Sequence, residues 1–261
     1  MTISQKRLPT HTFLASLGKT VLRPGGKKAT QRLLDACHLT ADTKILEVAI
    51  NMGTTAIHIA KTYGASVTGI DLNKEALARA KQNISDNNLE HLITVQHGNA
   101  TELPFEDHTF DVVLNEAMLT MLPNELKEKA LKEYFRVLKP GGIVATHDLL
   151  VKVDKSEDEQ QEKLKELQDL IVIKAQPLKY DCWVNQFEQA GFFKIEAVPG
   201  ELHLLSLKGL LHDEGIDGII GILKNATKNE EVLEYFTELV NDFDELRTYF
   251  GHISVIARKP Q

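Results

Sequence analysis

Two carboxylates on neighbouring apolar runs are the residues best placed for chemistry. Glu47 interrupts the run from Ile45 to Ile50, and Asp71 follows Val67-Thr68-Gly69-Ile70. Between them lie a short turn ending at Gly53 and the segment Ala56-Ile57-His58-Ile59-Ala60, which starts a helix. A buried strand, a tight turn, a helix and a second strand ending in an acid make a nucleotide-type binding half. Such a turn aims backbone N–H groups and a helix N-terminus at whatever lies over the strand end. Asp71 offers two oxygens, enough to accept from both hydroxyls of a ribose. A lone carboxylate buried at Glu47 is costly, so a cationic or N–H-rich group should face it. Two blander readings stay open. Asp71 is then a turn acid capping the helix that begins at Asn73, and Glu47 pairs with Arg23 or Lys27.

These acids need elements to hold them. Phe13, Leu14, Leu17 and Val21 recur at helical spacing, and 28–38 reads as a second helix. Strands are expected at 45–50, 66–70, 93–95, 110–115 and 143–146. Helices alternate with them over about 54–63, after Asn73, and over 124–138. Asn73 is a good N-cap, and Leu77, Ala80 and Ile84 form the buried stripe behind it. Five alternations call for a parallel sheet with helices on both faces.

Beyond residue 150 the pattern changes. The charged stretch 152–173 reads as an amphipathic helix, and 181–190 as another. A sixth strand is expected at 193–198 and a last one at 252–258. The stretch 202–250 is mostly helical, interrupted by Gly215, Gly218 and Gly221. The fold expected is α/β: a Rossmann-like, doubly wound, mostly parallel seven-stranded sheet in one domain over 1–261. Segments 1–38, 152–173 and 202–250 serve as helical cap or lid elements.

Four segments now stand in order. They are Leu46-Glu47-Val48-Ala49-Ile50-Asn51-Met52-Gly53; Gly69-Ile70-Asp71-Leu72; His97-Gly98-Asn99-Ala100-Thr101-Glu102-Leu103-Pro104-Phe105 with Phe110-Asp111-Val112-Val113; and Arg136-Val137-Leu138-Lys139-Pro140-Gly141-Gly142. Together they resemble the class I S-adenosylmethionine-dependent methyltransferases, over about residues 24–198. The resemblance implies S-adenosylmethionine as cofactor and a small-molecule methyl acceptor. It implies a cofactor-contact set of Arg23, Gly25, Gly26, Glu47, Ala49, Asn51, Gly53, Asp71, Leu72, Asn99, Ala100 and Asn115. Glu47 would lie near the amino-acid end of the cofactor, and Arg23-Pro24-Gly25-Gly26 resembles a loop that closes over its methionine part. Asn99 and Ala100 would face the adenine. Asn115-Glu116 falls where methyl and acceptor meet in this family, and Glu116, His147 and Asp148 are candidates to orient or deprotonate the acceptor.

The chain departs from the family where glycines would stand at Ala49 and Asn51, and where an acid would stand at Asn99. Alanine adds only a methyl, and asparagine tolerates left-handed φ better than most residues. The Asn99 side-chain oxygen accepts the same bond as an acid, without charge. Two other functions are left open. A nicotinamide-dependent reductase would also use Asp71 on a ribose, although no G-x-G-x-x-G spacing and no Tyr-x-x-x-Lys is present. A non-catalytic cofactor-binding protein would account for the departures.

Bulk properties narrow the partners. With 261 residues and 43% hydrophobic content, a full core is within reach. The net charge of −7 argues against a general nucleic-acid binder. Cys37 and Cys182 form no metal or disulfide pattern, the ten histidines show no H-x-x-x-H or HExxH arrangement, and no metal is expected. No apolar run approaches the roughly 18 residues of a membrane span. Residues 1–9 lack the apolar core of a signal peptide. A reduced, cytoplasmic setting is expected, and the 202–250 helices offer a face for a homodimer.

Overall fold

The computed structural model describes residues 9–152 and 156–261; the expectations for the first eight residues, and for 153–155 within the lid segment, lie outside them. The chain begins with α1 (Thr10–Ser16) and α2 (Gly26–Cys37) and then alternates strand and helix, except that a loop alone joins the third strand to the fourth. β1 (Lys44–Val48), α3 (Thr54–Tyr63), β2 (Ser66–Asp71), α4 (Lys74–Asp86), β3 (Ile93–His97), β4 (Phe110–Glu116), α5 (Asn124–Val137) and β5 (Leu138–Val151) follow. Next come α6 (Glu157–Ile171), β6 (Leu178–Lys179), α7 (Tyr180–Gln189), β7 (Phe193–Glu201), α8 (Leu207–Ala226), α9 (Glu230–Leu246) and β8 (Phe250–Arg258). The strand order is β3-β2-β1-β4-β5-β8-β7, with β6 paired to β5 off this path. β1 to β5 run parallel, and β8 is antiparallel to both β5 and β7. This is the expected Rossmann-like α/β sheet, with one short strand added.

The sequence explains the central elements. Ile45, Leu46 and Val48 are buried, as a strand with neighbours on both sides and helices on both faces requires. Gly53 (φ 76°) and Gly64 (φ 69°) bracket α3 in left-handed conformations, and the Gly64 N–H closes the last turn on the Ala60 carbonyl. The Asn73 side chain accepts from the N–H groups of Glu75 and Ala76, so α4 is capped as expected.

Two cores fill the two faces of the sheet. Leu33, Ile45, Ile59, Val67 and Ile84 pack beneath α2, α3 and α4. Leu46, Val113, Tyr134, Trp183 and Phe187 pack beneath α5 and α7. A third cluster, including Leu14, Leu167, Leu202, Leu239 and Phe243, joins α1, α6 and α9 over the sheet. The stretch 202–250 does break at a glycine: Gly215 has φ 68° and ψ 179° inside α8. Just before that break, α8 holds the segment ahead of α2. Glu214 accepts from Lys19 Nζ and from the N–H groups of Thr20 and Val21, and Asp213 accepts from the Lys27 N–H. α8 also leaves Leu207, Leu211 and Ile216 exposed. Among the described residues, no helix is long and apolar enough to cross a membrane.

Among the boundaries that differ from expectation, three have a clear local cause. The first helix lies at Thr10–Ser16, upstream of the expected stripe, because Gly18 (φ 99°) ends it. β5 starts at Leu138, directly after α5, and Gly141 (φ 77°) lies where its register with β4 shifts, so Lys139-Pro140-Gly141-Gly142 belongs to the strand. β6 has only two residues and carries no alternation to read.

Candidate functional site

β1 pairs with β2 on one side and β4 on the other, and the chain reverses direction across the sheet at that point. Ligands of open α/β sheets bind at such a switch, outside the carboxyl ends of the strands. The turn leaving β1 has left-handed φ at alternate residues: Ala49 (60°), Asn51 (50°) and Gly53 (76°). Only the third is a glycine. The backbone conformation a glycine-rich turn would adopt is therefore kept, with two side chains added. The same turn aims Asp71. The Asn51 N–H donates to one carboxylate oxygen at 2.9 Å and the Asn73 N–H to the other at 2.8 Å. Each oxygen keeps a lone pair for a further donor. Gly69 is needed behind them, because a Cβ there would lie 2.1 Å from the Ile50 side chain.

Glu47 lies one strand over and is buried. Its carboxyl accepts from the Ala56 N–H in the first turn of α3, but Oε2 has no partner among the described residues. Burial, reinforced by the negative charge of Glu116, pushes its pKa up to about 8 despite the pull of Arg23. Glu116, at the end of β4, is the opposite case. Burial alone would raise it; Arg23 beside it, together with bonds from His147 and Thr30, holds it at about 2. Its Oε2 lies 3.1 Å from Arg23 Nε and 3.2 Å from His147 Nδ1, and its Oε1 accepts from the Thr55 hydroxyl at 3.0 Å. His147 in turn accepts the Gly25 N–H at Nε2, 2.9 Å away. The ring therefore carries its proton on Nδ1, facing Glu116. His147, Glu116 and Arg23 form one buried chain that ties the segment around Arg23–Gly25 down onto β4 and β5. Glu47 is left neutral beside it, with an unspent oxygen.

These groups surround a cleft of about 330 Å³. Arg23, Glu47, Ala49, Asn51, Asp71 and Glu116 line it, and Gly53 supports it from the N-terminus of α3. A second, smaller chamber of about 80 Å³ lies under the cap and is lined by Asp148. His11, Leu22, Arg23, Ala117 and Met121 line both.

Other expected residues stand elsewhere. A Cβ on Gly25 would meet the ring of His252, and one on Gly26 would meet the Asp213 carboxylate, so both glycines serve the packing behind the segment. Leu72 is 60% exposed. The Asn99 side-chain oxygen accepts from the N–H and hydroxyl of Thr101, closing its own loop, and Ala100 is buried in the core beneath. Asn115 is wholly buried and donates to the Thr146 hydroxyl at 2.8 Å. Glu116 lies in the cleft, Asp148 in the chamber, and His147 beneath both. The sequence reading missed His11, Thr20, Leu22, Met118 and Met121, which come from α1 and from irregular segments without periodicity. Thr54 and Thr55 were legible as the polar start of α3.

The comparisons with known proteins agree with this fold. Residues 45–142, from β1 into β5, match the family described as "Methyltransferase domain". An "Uncharacterized protein" of Haemophilus influenzae is 47% identical over 249 residues, covering 95% of this chain and 97% of that one. A demethylmenaquinone methyltransferase of Bacillus cytotoxicus is 38% identical over 120 residues; the match covers 45% of this chain and 48% of the enzyme, so the chain spans about half of that relative's length. The solved phosphoethanolamine N-methyltransferase 2 of Haemonchus contortus, in complex with S-adenosylhomocysteine, superposes with a TM-score of 0.71 at 18% identity. It covers 97% of this chain, which spans 58% of it. The chain belongs to the class I S-adenosylmethionine-dependent methyltransferases. S-adenosylmethionine is their cofactor, and the nicotinamide and non-catalytic alternatives give way to this family.

Proposed function

We propose that this chain transfers the methyl group of S-adenosylmethionine to a small molecule held beside the β4 and β5 strand ends. The observation that carries the reading is the pair of acids lining one cleft: Asp71, aimed by two N–H groups, and Glu47, buried with an unpartnered oxygen. Asp71 binds the ribose hydroxyls and Glu47 takes the ammonium of the amino-acid end. Arg23, fixed by Glu116, closes the methionine side. The bound cofactor supplies an electrophilic methyl on a sulfonium. The protein's part is to hold the acceptor in line, exclude water and take up a proton where the acceptor has one. His147 and Glu116 act by positioning, since both ring nitrogens and both carboxylate oxygens are already engaged. Asp148 is the acid that faces the acceptor side.

The test is to incubate the protein with S-adenosylmethionine and pools of small metabolites, reading S-adenosylhomocysteine by mass spectrometry. Product formation that depends on one pool and is lost in Asp71→Ala supports the proposal. Absence of both product and cofactor binding rejects it.

A further inference from the structure

The chamber under the cap is built for one kind of acceptor. It joins the cofactor cleft through the five residues that line both spaces, so a molecule seated in it reaches the cleft directly. Its wall is largely aliphatic: Leu14 from α1, Leu149 from β5, Leu167 and Ile171 from α6, and Leu204 ahead of α8, joined by Phe243 of α9. Some of the polar groups at its edge are already engaged. Arg23, at the boundary with the cleft, pairs with Glu116 through Nε, and the Thr10 hydroxyl donates to the Leu170 carbonyl. His11 is held toward its neutral form by burial. A carboxylate or phosphate seated at the Asp148 end would face that acid and an aliphatic wall, at a cost of several kcal/mol. Asp148 lines the chamber and is completely buried; it accepts from the N–H groups of Thr120 and Leu149 and from the Thr120 hydroxyl, which leaves lone-pair capacity for one donor from the chamber. Volume sets the remaining limit. About 80 Å³ is roughly half the 150 Å³ void that takes a benzene ring, so the buried part is a short or branched aliphatic group.

We propose that the chamber seats the aliphatic body of an uncharged acceptor whose hydroxyl or thiol donates to Asp148. This rests on the methyltransferase reading of the adjoining cleft. As the oxygen or sulfur lone pair bonds to the methyl carbon, the carbon–sulfonium bond breaks and its electron pair stays on the cofactor sulfur. The proton of the acceptor passes to the Asp148 carboxylate. Zwitterionic amino-acid acceptors are disfavoured, because their carboxylate would face Asp148 or the aliphatic wall.

The probes are isobutanethiol, isobutanol and sarcosine, titrated by methyl NMR into protein loaded with S-adenosylhomocysteine. Methylation of each is then followed with S-adenosylmethionine. The two isobutyl probes should bind saturably and sarcosine should not, and methylation should follow the same preference, with the thiol and alcohol arms identifying the nucleophile. Leu204→Trp fills the chamber and should weaken isobutyl binding by about tenfold or more, with S-adenosylhomocysteine affinity unchanged, since Leu204 does not line the cleft. Asp148→Asn, if folded, should keep the probes bound and lose the proton acceptor, lowering turnover. The proposal is overturned by absence of saturable isobutyl binding in the loaded protein, by preference for sarcosine, or by a Leu204→Trp variant that binds the probes as well as the wild type. Failure to load with S-adenosylhomocysteine would instead remove the cofactor reading, and this proposal with it.

Discussion

Cofactor binding should release close to one proton at neutral pH. Glu47 has a pKa of about 8 in the free protein, so about nine-tenths of the molecules carry it protonated at pH 7. Its unpartnered Oε2 lies in the cleft wall where the cofactor's ammonium is proposed to bind. A cation at hydrogen-bond distance favours the ionised form, and a fall of two or more units would empty the site at pH 7. Affinity for S-adenosylhomocysteine should therefore rise almost tenfold per pH unit toward pH 8 and level off above it. The assay is isothermal titration calorimetry at pH 7 in phosphate and in Tris, whose ionisation heats differ widely. The difference in apparent enthalpy gives the protons released. Glu47→Gln keeps the shape and removes the titration, so its binding should show a smaller release and a flatter pH dependence. Tight wild-type binding whose heat is the same in both buffers would refute the reasoning. So would a Glu47→Gln variant with the same proton release.

The same acid makes a stability prediction with a definite sign. Its raised pKa favours the folded state below about pH 4.5, and that contribution is lost as pH rises through about 8. It amounts to up to about 5 kcal/mol for a fully buried group. In the absence of cofactor, Glu47→Gln should thus be more stable than the wild type at pH 9, by thermal or urea unfolding. Glu116 has the opposite sign: its stabilisation is present above about pH 4.5 and is lost as pH falls toward 2. Glu116→Gln breaks the buried chain to Arg23 and His147, and should cost on the order of 3 kcal/mol in urea denaturation while also weakening S-adenosylhomocysteine binding. Ala49→Gly should raise stability by up to about 1 kcal/mol, because left-handed φ at an alanine costs more than glycine's extra freedom in the unfolded chain. Ala49→Val should lower it, as differential scanning calorimetry would show.

The part of the site built from regular elements was legible in the sequence, and the part built from irregular ones was not. Glu47, Asp71 and the turn between them lie on a strand, a turn and a helix whose signals agree with one another, so their positions followed from spacing. The left-handed φ of Ala49 and Asn51 was legible too, as the conformation that a glycine-rich turn would adopt. Arg23 lines the cleft, but the acid the sequence offered it was Glu47; it pairs with Glu116 instead, because only the fold brings Thr30, Thr55, Glu116 and His147 to one point. Asn99 was placed by motif position and by its accepting side-chain oxygen, Asn115 by motif position. Each side chain instead makes a bond close at hand, Asn99 to Thr101 and Asn115 to Thr146, and motif position carries no information on that choice. The chamber was invisible for a further reason. Leu14, Leu149, Leu167 and Phe243 each read as ordinary core, and only the packing of α1, α6 and α9 leaves a space between them.

The most direct measurement is a calorimetric titration of S-adenosylhomocysteine into the wild type and into Asp71→Ala. Two hydrogen bonds to a charged acceptor, at about 1.5–3 kcal/mol each, correspond to a loss of a hundredfold or more. The account predicts one-to-one, micromolar binding to the wild type and a loss of at least that size in Asp71→Ala. Failure of the wild type to bind, or equal binding by a folded Asp71→Ala, would contradict it.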